Sequence, residues 1–327
     1  MFRRIVFCLP LTLLLLTVVE AQQPTKVPRI GWLTNGVLSS TSNSARQQAF
    51  RQGLREIGYV EEKNIVIEWR SADNVRGRGK ALAEELARLK VDVIVTAGSD
   101  GTRNARAATS VIPIVMASSN DPVGEGFVAS LARPGGNITG LSQLSPELAG
   151  KRLEILKEVL PKLSRVAVLS TSTSVGNAQV LREIEPVAAA LGVKLQYLDV
   201  LAIKDIEPAF RAAAERAEAV LELISGPIRG AARKEIAELA VKHRLPVMGE
   251  RPEHVEAGGL MPYGVNLRDL DRRSATYVDK ILKGAKPADL PVEQPTKFEF
   301  IINLKAANQI GLRIPPNVLV RADRVIR

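Results

Sequence analysis

Short apolar runs alternate along this chain with stretches whose apolar residues recur every third or fourth position, the two periodicities of buried strands and amphipathic helices. Residues 29–34 (RIGWLT) read as a buried strand ending in a polar tip, Asn35-Gly36. Ser44 is placed to cap the next helix, whose Phe50, Leu54 and Ile57 share a face before Gly58 ends it. Residues 64–69 form a second strand, and Leu82, Leu86 and Leu89 stripe a second helix. Residues 91–96 (VDVIVT) make a third strand, followed by Ala97-Gly98-Ser99 and a short helix. A further strand at 112–116 ends in Ala117-Ser118-Ser119-Asn120.

The rhythm then restarts. Leu153, Leu156 and Leu160 mark a helix placed to pack across a domain junction. A strand at 165–169 carries the tip Ser170-Thr171-Ser172-Thr173-Ser174, and Val180, Ile184, Val187 and Leu191 stripe a helix closed by Gly192. Strands at 193–198, 219–224 and 245–248 alternate with helices around 206–216 and 229–243. Such alternation predicts an α/β fold of parallel βαβ units, here in two similar lobes. The first lobe takes 28–140 with part of 266–327, and the second takes 141–265. Residues 137–141 (NITGL) are a candidate crossing strand, and 260–265 and 298–302 are further strands with helices of their own. A chain that crosses more than once makes a multi-strand hinge.

At 327 residues the chain is long enough for two cores, and 46% hydrophobic content is ordinary for a folded protein. Aromatics are only 4%, so those cores are aliphatic. The start of the chain predicts export. Arg3 and Arg4 precede an uncharged apolar stretch over 5–19, too short to span a membrane, and Val19-Glu20-Ala21 supplies a cleavage site. A signal at 1–21 cut near Ala21 removes Cys8, the single cysteine, and sends the mature chain to the periplasm without thiol chemistry. The formal charge of +10 does not imply nucleic acid, because the basic residues are interleaved with acids, as in 211–218, and form no aromatic-studded block.

Ligands of open α/β sheets sit beyond the carboxyl ends of the strands. Those tips here offer Thr34-Asn35, Gly98-Ser99, Ser118-Ser119-Asn120, Thr171–Ser174 and Ser225-Gly226, with helix N-termini suited to a carboxylate behind several of them. The same residues also read as helix caps. Catalytic patterns are missing: no GxGxxG after the first strand, no P-loop at Gly77-Arg78-Gly79-Lys80, no GxSxG elbow. His243 reads as a helix-end residue; His254 lies near Glu250, Glu253 and Glu256, a weak metal cluster. No cofactor or metal is expected. Glu222, inside the apolar run AVLELI, marks either the solvent side of an edge strand or a buried charge aimed at a cation.

Six segments carry a family resemblance: IGWLTNG (30–36), FRQGLREIGYVEEKNIVIEWR (50–70), NDPVGEGFVASLARPGGNITGLS (120–142), KRLEILKEVLP (151–161), VEAGGLMPYG (255–264) and ILKGAKPADLPVEQPTKFEFIINLKAANQIGLRIPP (281–316). The chain resembles the ABC transporter substrate-binding proteins of the periplasmic binding protein type 1 superfamily, in the branch with aromatic amino-acid receptors. The resemblance implies two Rossmann-like lobes, a three-strand hinge, a ligand between the lobes, and an ABC permease with its ATPase as partners of a monomeric receptor. By analogy the cleft residues are drawn from Thr34, Asn35, Ser99, Ser118, Ser119, Thr171, Ser172, Ser225 and Gly226. Relatives often carry an acid before the proline matching Pro227, where this chain has Gly226. Gly249-Glu250-Arg251-Pro252 is also more charged than its usual aromatic counterpart, which favours an anionic ligand read by Arg251. Among other classes, a sensor feeding a membrane kinase shares all these features. An exported hydrolase lacks its nucleophile and base here, and a repressor of the same superfamily would begin with a helix-turn-helix.

Overall fold

The computed structural model describes residues 27–327 other than 76, 175 and 225. The segment read as an export signal, 1–21, lies outside the described residues, as do Cys8 and Ser225.

The first series folds as β1 (Arg29–Thr34), α1 (Thr41–Glu56), β2 (Val66–Ser71), α2 (Arg78–Arg88), β3 (Val93–Ala97), α3 (Ser99–Ala108), β4 (Ile114–Ser119) and β5 (Ile138–Ser142). These strands form one parallel sheet in the order β2-β1-β3-β4-β5. Ser40, in extended conformation, caps α1 by accepting from the Asn43 N–H, which corrects the expectation of Ser44; the Ser44 hydroxyl instead donates to the Leu38 carbonyl.

The second series follows as α4 (Ser145–Val159), β6 (Arg165–Ser170), α5 (Asn177–Ala190), β7 (Lys194–Asp199), α6 (Ile206–Arg216), β8 (Ala219–Leu223), α7 (Gly226–His243), β9 (Val247–Gly249), α8 (Glu253–Glu256) and β10 (Met261–Val265). After it come α9 (Leu267–Leu282), β11 (Phe298–Asn303), α10 (Leu304–Gln309), α11 (Pro316–Leu319) and β12 (Arg324–Ile326). The second sheet runs β12-β11-β10-β9-β8-β6-β7, parallel except where β11 meets β10.

Helices cover both faces of each sheet, which is why the strands are apolar without alternation. In the first lobe Trp32, Phe50 and Leu270 pack on one face, and Leu33, Leu86 and Met116 on the other. In the second, Val168, Leu221 and Ile302 face α4 and α5, while Leu169, Val220 and Val247 pack against Phe210 of α6 and Ile236 of α7.

The chain passes between the lobes three times. The first passage follows β5 at Gln143-Leu144, which corrects the reading of 137–141 as the crossing strand: β5 is the edge strand of the first sheet. Leu144 sits at φ +52°, a left-handed conformation that costs a side-chain-bearing residue roughly 1–2 kcal/mol. The second passage, at Val265-Asn266, sends α9 back onto α1 and the first sheet. The third leaves the first lobe after Glu293, whose N–H donates to Gly140, and enters β11. Asn266 N–H donates to Lys297 O at 3.1 Å and Ser142 N–H to Glu293 O at 2.9 Å, so the passages are stitched side by side.

Candidate functional site

Strand order places the site. In the first sheet the connections turn one way from β1 to β2 and the other way from β1 to β3; in the second sheet the same reversal falls between β6 and β8. At such switch points adjacent loops diverge and leave a crevice beyond the strand ends. The two crevices face each other across a cleft of about 440 Å³.

The first-lobe wall is built from tips and helix starts. Thr34, Asn35, Gly98, Ser99, Ser118 and Asn120 line it, with Asp100, Asp121 and Glu125. Asn35 donates to Asp100 at 3.1 Å, and Asp100 accepts from Arg103 at 2.8 Å. Ser99 donates to Glu125 at 2.5 Å and accepts from the Asn120 N–H at 3.0 Å. Burial pushes Glu125 upward, against the pull of its Ser99 bond and of Arg103. Arg46 from α1 reaches down beside this wall. Its Nε and Nη2 grip the wholly buried Asp271 of α9 at 2.6 and 2.8 Å, and Nη2 also donates to Ser118 Oγ at 3.1 Å.

The second-lobe wall is dominated by guanidinium groups. Arg229 donates to Glu250 at 2.5 Å and to the Ile224 carbonyl at 3.2 Å. Arg251 Nε lies 3.4 Å from the same carboxylate. Arg152 is 2% exposed; its Nε donates to the Tyr263 carbonyl at 2.7 Å, its Nη2 lies 3.7 Å from Glu250, and its Nη1 has no hydrogen-bond partner. Burial draws Arg152 down to about 10 even with Glu250 opposing. Burial also works against an ionised Glu250, but Arg229, Arg251 and Arg152 outweigh it and hold the carboxyl at about 2.

Behind them sit Glu222 and His254. β8 lies between β6 and β9, so Glu222 is a buried carboxyl group beside a cation and the edge-strand alternative falls away. Its carboxylate is 3.9 Å from Arg229 Nε and 3.4 Å from His254 Nδ1, and neither oxygen has a hydrogen bond. Burial raises Glu222 to about 7, with Arg229 opposing. Burial and the repulsion of Arg229 lower His254 to about 4, so the pair is an acid beside a neutral imidazole near neutrality. Among the described residues no group of three or more His, Cys, Asp or Glu is arranged for a metal. His243, at the end of α7, stacks on Phe210 at 6.5 Å.

Two contacts tie the walls together. Ser42 of α1 donates to Glu253 of α8, and Arg251 donates to the Gln143 side chain at 2.7 Å. Gln143 belongs to the first passage between the lobes, so the orientation of Arg251 is set by the hinge itself.

Of the residues singled out from sequence, Thr34, Asn35, Ser99, Ser118 and Arg251 line the cleft. Ser119 turns into the first lobe toward Glu125 and is fully buried. Thr171 donates to the Val200 carbonyl, and Ser172 donates to Asp199 at 2.6 Å, so both serve the β6–β7 edge and neither lines the cleft. Gly226 opens α7. Sequence reasoning missed Arg46, Gln143, Arg152 and Arg229, and read Glu253 only as part of a weak metal cluster. A signal existed for Arg46, a cation one helical turn before the buried Phe50 and so on the same face of α1; Arg152 and Arg229 look like ordinary surface helix residues until the fold turns them inward.

A family model for ABC transporter substrate binding proteins matches residues 35–326. A tyrosine-binding protein of Clostridioides difficile (strain R20291) is 24% identical over 281 residues, covering 85% of this chain and 80% of that protein. The crystal structure of a conserved domain protein from Vibrio cholerae shares 29% identity at a TM-score of 0.85, over 92% of this chain and 100% of that one. A domain from Streptococcus pneumonia in complex with L-Trp shares 25% identity at a TM-score of 0.84, over 91% of this chain and 99% of that one.

Proposed function

This chain belongs to the ABC transporter substrate binding protein family, and we propose that it is an exported receptor that captures an amino acid or other small carboxylate between its lobes and hands it to an ABC importer. The observation that carries this reading is the position of the polar cleft. It lies at the switch points of two separate sheets, between lobes joined by three chain passages. A ligand there contacts both lobes at once and favours whichever lobe arrangement lets it do so. The amino-acid ligands of the Clostridioides and Streptococcus relatives support the same ligand class. No helix among the described residues is long and apolar enough to cross a membrane, which accords with a receptor that meets its permease and ATPase by docking in the periplasm.

The lobes act as binding surfaces rather than as a catalytic centre. Cleft groups such as Arg46 with Asp271 and Arg229 with Glu250 are held in mutual pairs, which suits a binding surface. Closure about the three passages is the expected response to ligand, with the strained Leu144 and the Gln143–Arg251 bond on the moving path.

A thermal-shift screen against amino acids, carboxylates and nucleosides tests this reading. A ligand at 100 times its Kd should add about 2.7 kcal/mol to the folded state. Small-angle scattering with that ligand should show a smaller radius of gyration than without it. A radius that stays constant at saturation would remove closure from the mechanism, and a screen without hits in any class would remove the receptor.

A further inference from the structure

The charges of the cleft are sorted by lobe. On the second-lobe wall Arg152, Arg229 and Arg251 converge on Glu250, with Glu253 as the other cleft-lining acid. Glu222 stands behind them and, near neutrality, is in good part protonated through burial. With Arg233 also lining it, this wall holds about two more cationic than anionic groups, and one of its cations has a buried N–H group without a partner. A buried N–H donor left without an acceptor is costly, and an arriving oxyanion removes the deficit. The first-lobe wall is the reverse. Asp100, Asp121 and Glu125 line it against Arg103, while Arg46 is neutralised by Asp271. A ligand lying across the cleft thus meets positive charge on one side and negative charge on the other.

The lining has a second property. Among the described residues it contains no Phe, Tyr or Trp. Among the described residues, aromatics cluster away from the cleft: Trp32, Phe50 and Trp69 pack together in the first lobe, and Tyr263 with Phe298 and Phe300 near the second passage. A ring-bearing ligand would find no ring to stack on, since the apolar part of the lining, Val37, Pro146, Val180, Leu223 and Ile224, is aliphatic and suits an aliphatic side chain.

We propose that the cleft takes a compact, non-aromatic amino acid, with its carboxylate on the Arg152–Arg229–Arg251 wall and its ammonium toward the acids of the first lobe. This assignment rests on the receptor reading above and sharpens it. Arg251 is the residue to test, because it is the cleft guanidinium held by the hinge residue Gln143 and not by Glu250 alone.

Titration calorimetry of the full mature chain with L-leucine, L-glutamine, L-glutamate, succinate, inorganic phosphate, L-tryptophan, L-tyrosine and myo-inositol separates the possibilities. At least one of the three aliphatic amino acids should bind at least tenfold more tightly than either aromatic one. Arg251→Gln should weaken that binding by roughly 10- to 150-fold, the loss of one hydrogen bond to a charged group. Arg251→Lys, which keeps the charge but loses the planar fork, should fall between the two. A melting temperature within a few degrees of the parent shows that the variants are folded. Tight binding of L-tryptophan or L-tyrosine overturns the proposal, and so does an affinity that Arg251→Gln leaves intact. Preference for succinate or phosphate over every amino acid overturns the ammonium half and with it the assignment. Binding of myo-inositol alone overturns the assignment while leaving a receptor, and binding of none of the eight overturns it as well.

Discussion

Arg46→Ala should destabilise the first lobe by about 3–5 kcal/mol, the usual cost of leaving one partner of a buried ion pair without the other. Asp271 is wholly buried, and both of its oxygens are occupied by Arg46. Attraction and hydrogen bonding from Asp271 outweigh burial and hold Arg46 above the ordinary arginine value. Removing the guanidinium strands a carboxylate at the contact between α1 and α9, the helix that returns from the second lobe to cover the first sheet. The double variant Arg46→Met, Asp271→Leu removes both charges and should regain most of that loss, since replacing a whole buried pair with apolar groups is often neutral or better. The lobe reports on itself here. Both tryptophans of the chain, Trp32 and Trp69, lie in the first lobe, so urea unfolding followed by their fluorescence reads that lobe without interference from the second. A single variant whose midpoint moves by less than the equivalent of 1 kcal/mol would show that the pair is solvated and not a buried tie.

Apolar periodicity was enough to find the two lobes, because parallel strands buried on both faces leave long unmixed runs such as 93–97 and 166–169. Element ends moved by one to three residues, as at β2, which begins at Val66 and not at 64. The sequence could not show that β10 and β11 are antiparallel neighbours while the helix between them lies on the other lobe. That arrangement depends on where α9 finds apolar cover, and an amphipathic stripe does not name its partner. Small polar residues at strand tips were legible as cleft candidates because strand ends are where open α/β sheets bind. The guanidinium wall was not. Arg152 and Arg229 sit on helices rich in other charges, and only the packing of α4 and α7 against β8 decides which cations point inward. Thr171 and Ser172 show the converse: their hydroxyls donate to Val200 and Asp199 at the neighbouring strand edge and not into the cleft.

Glu222→Gln should abolish a pH dependence that the parent second lobe carries between about pH 4.5 and 7. Glu222 is buried, its oxygens have no hydrogen bonds, and burial raises it to about 7 although Arg229 pulls the other way. An acid raised in the folded state binds its proton more tightly there than in the unfolded chain. Its contribution to stability is therefore complete below pH 4.5 and is lost as pH rises through 7. The shift corresponds to roughly 3 kcal/mol at 1.36 kcal/mol per pK unit. Other groups face the same point. His254, lowered to about 4, acts in the opposite sense, since its neutral form is favoured and stability falls as pH drops from 6.5 toward 4. Glu250, held at about 2 by Arg229, Arg251 and Arg152, costs stability only below about pH 4.5. The Glu222→Gln difference cancels both terms where they are shared. Measured as urea midpoints by far-UV circular dichroism, because the second lobe has no tryptophan, the variant should match the parent near pH 4.5. It should exceed the parent by roughly 3 kcal/mol at pH 8, where the parent buries an ionised carboxylate and the amide does not. A difference that stays flat from pH 4.5 to 8 would mean that Glu222 ionises like an exposed acid. A third ionised carboxylate would then cut the surplus positive charge of the guanidinium wall and weaken its preference for a ligand carboxylate.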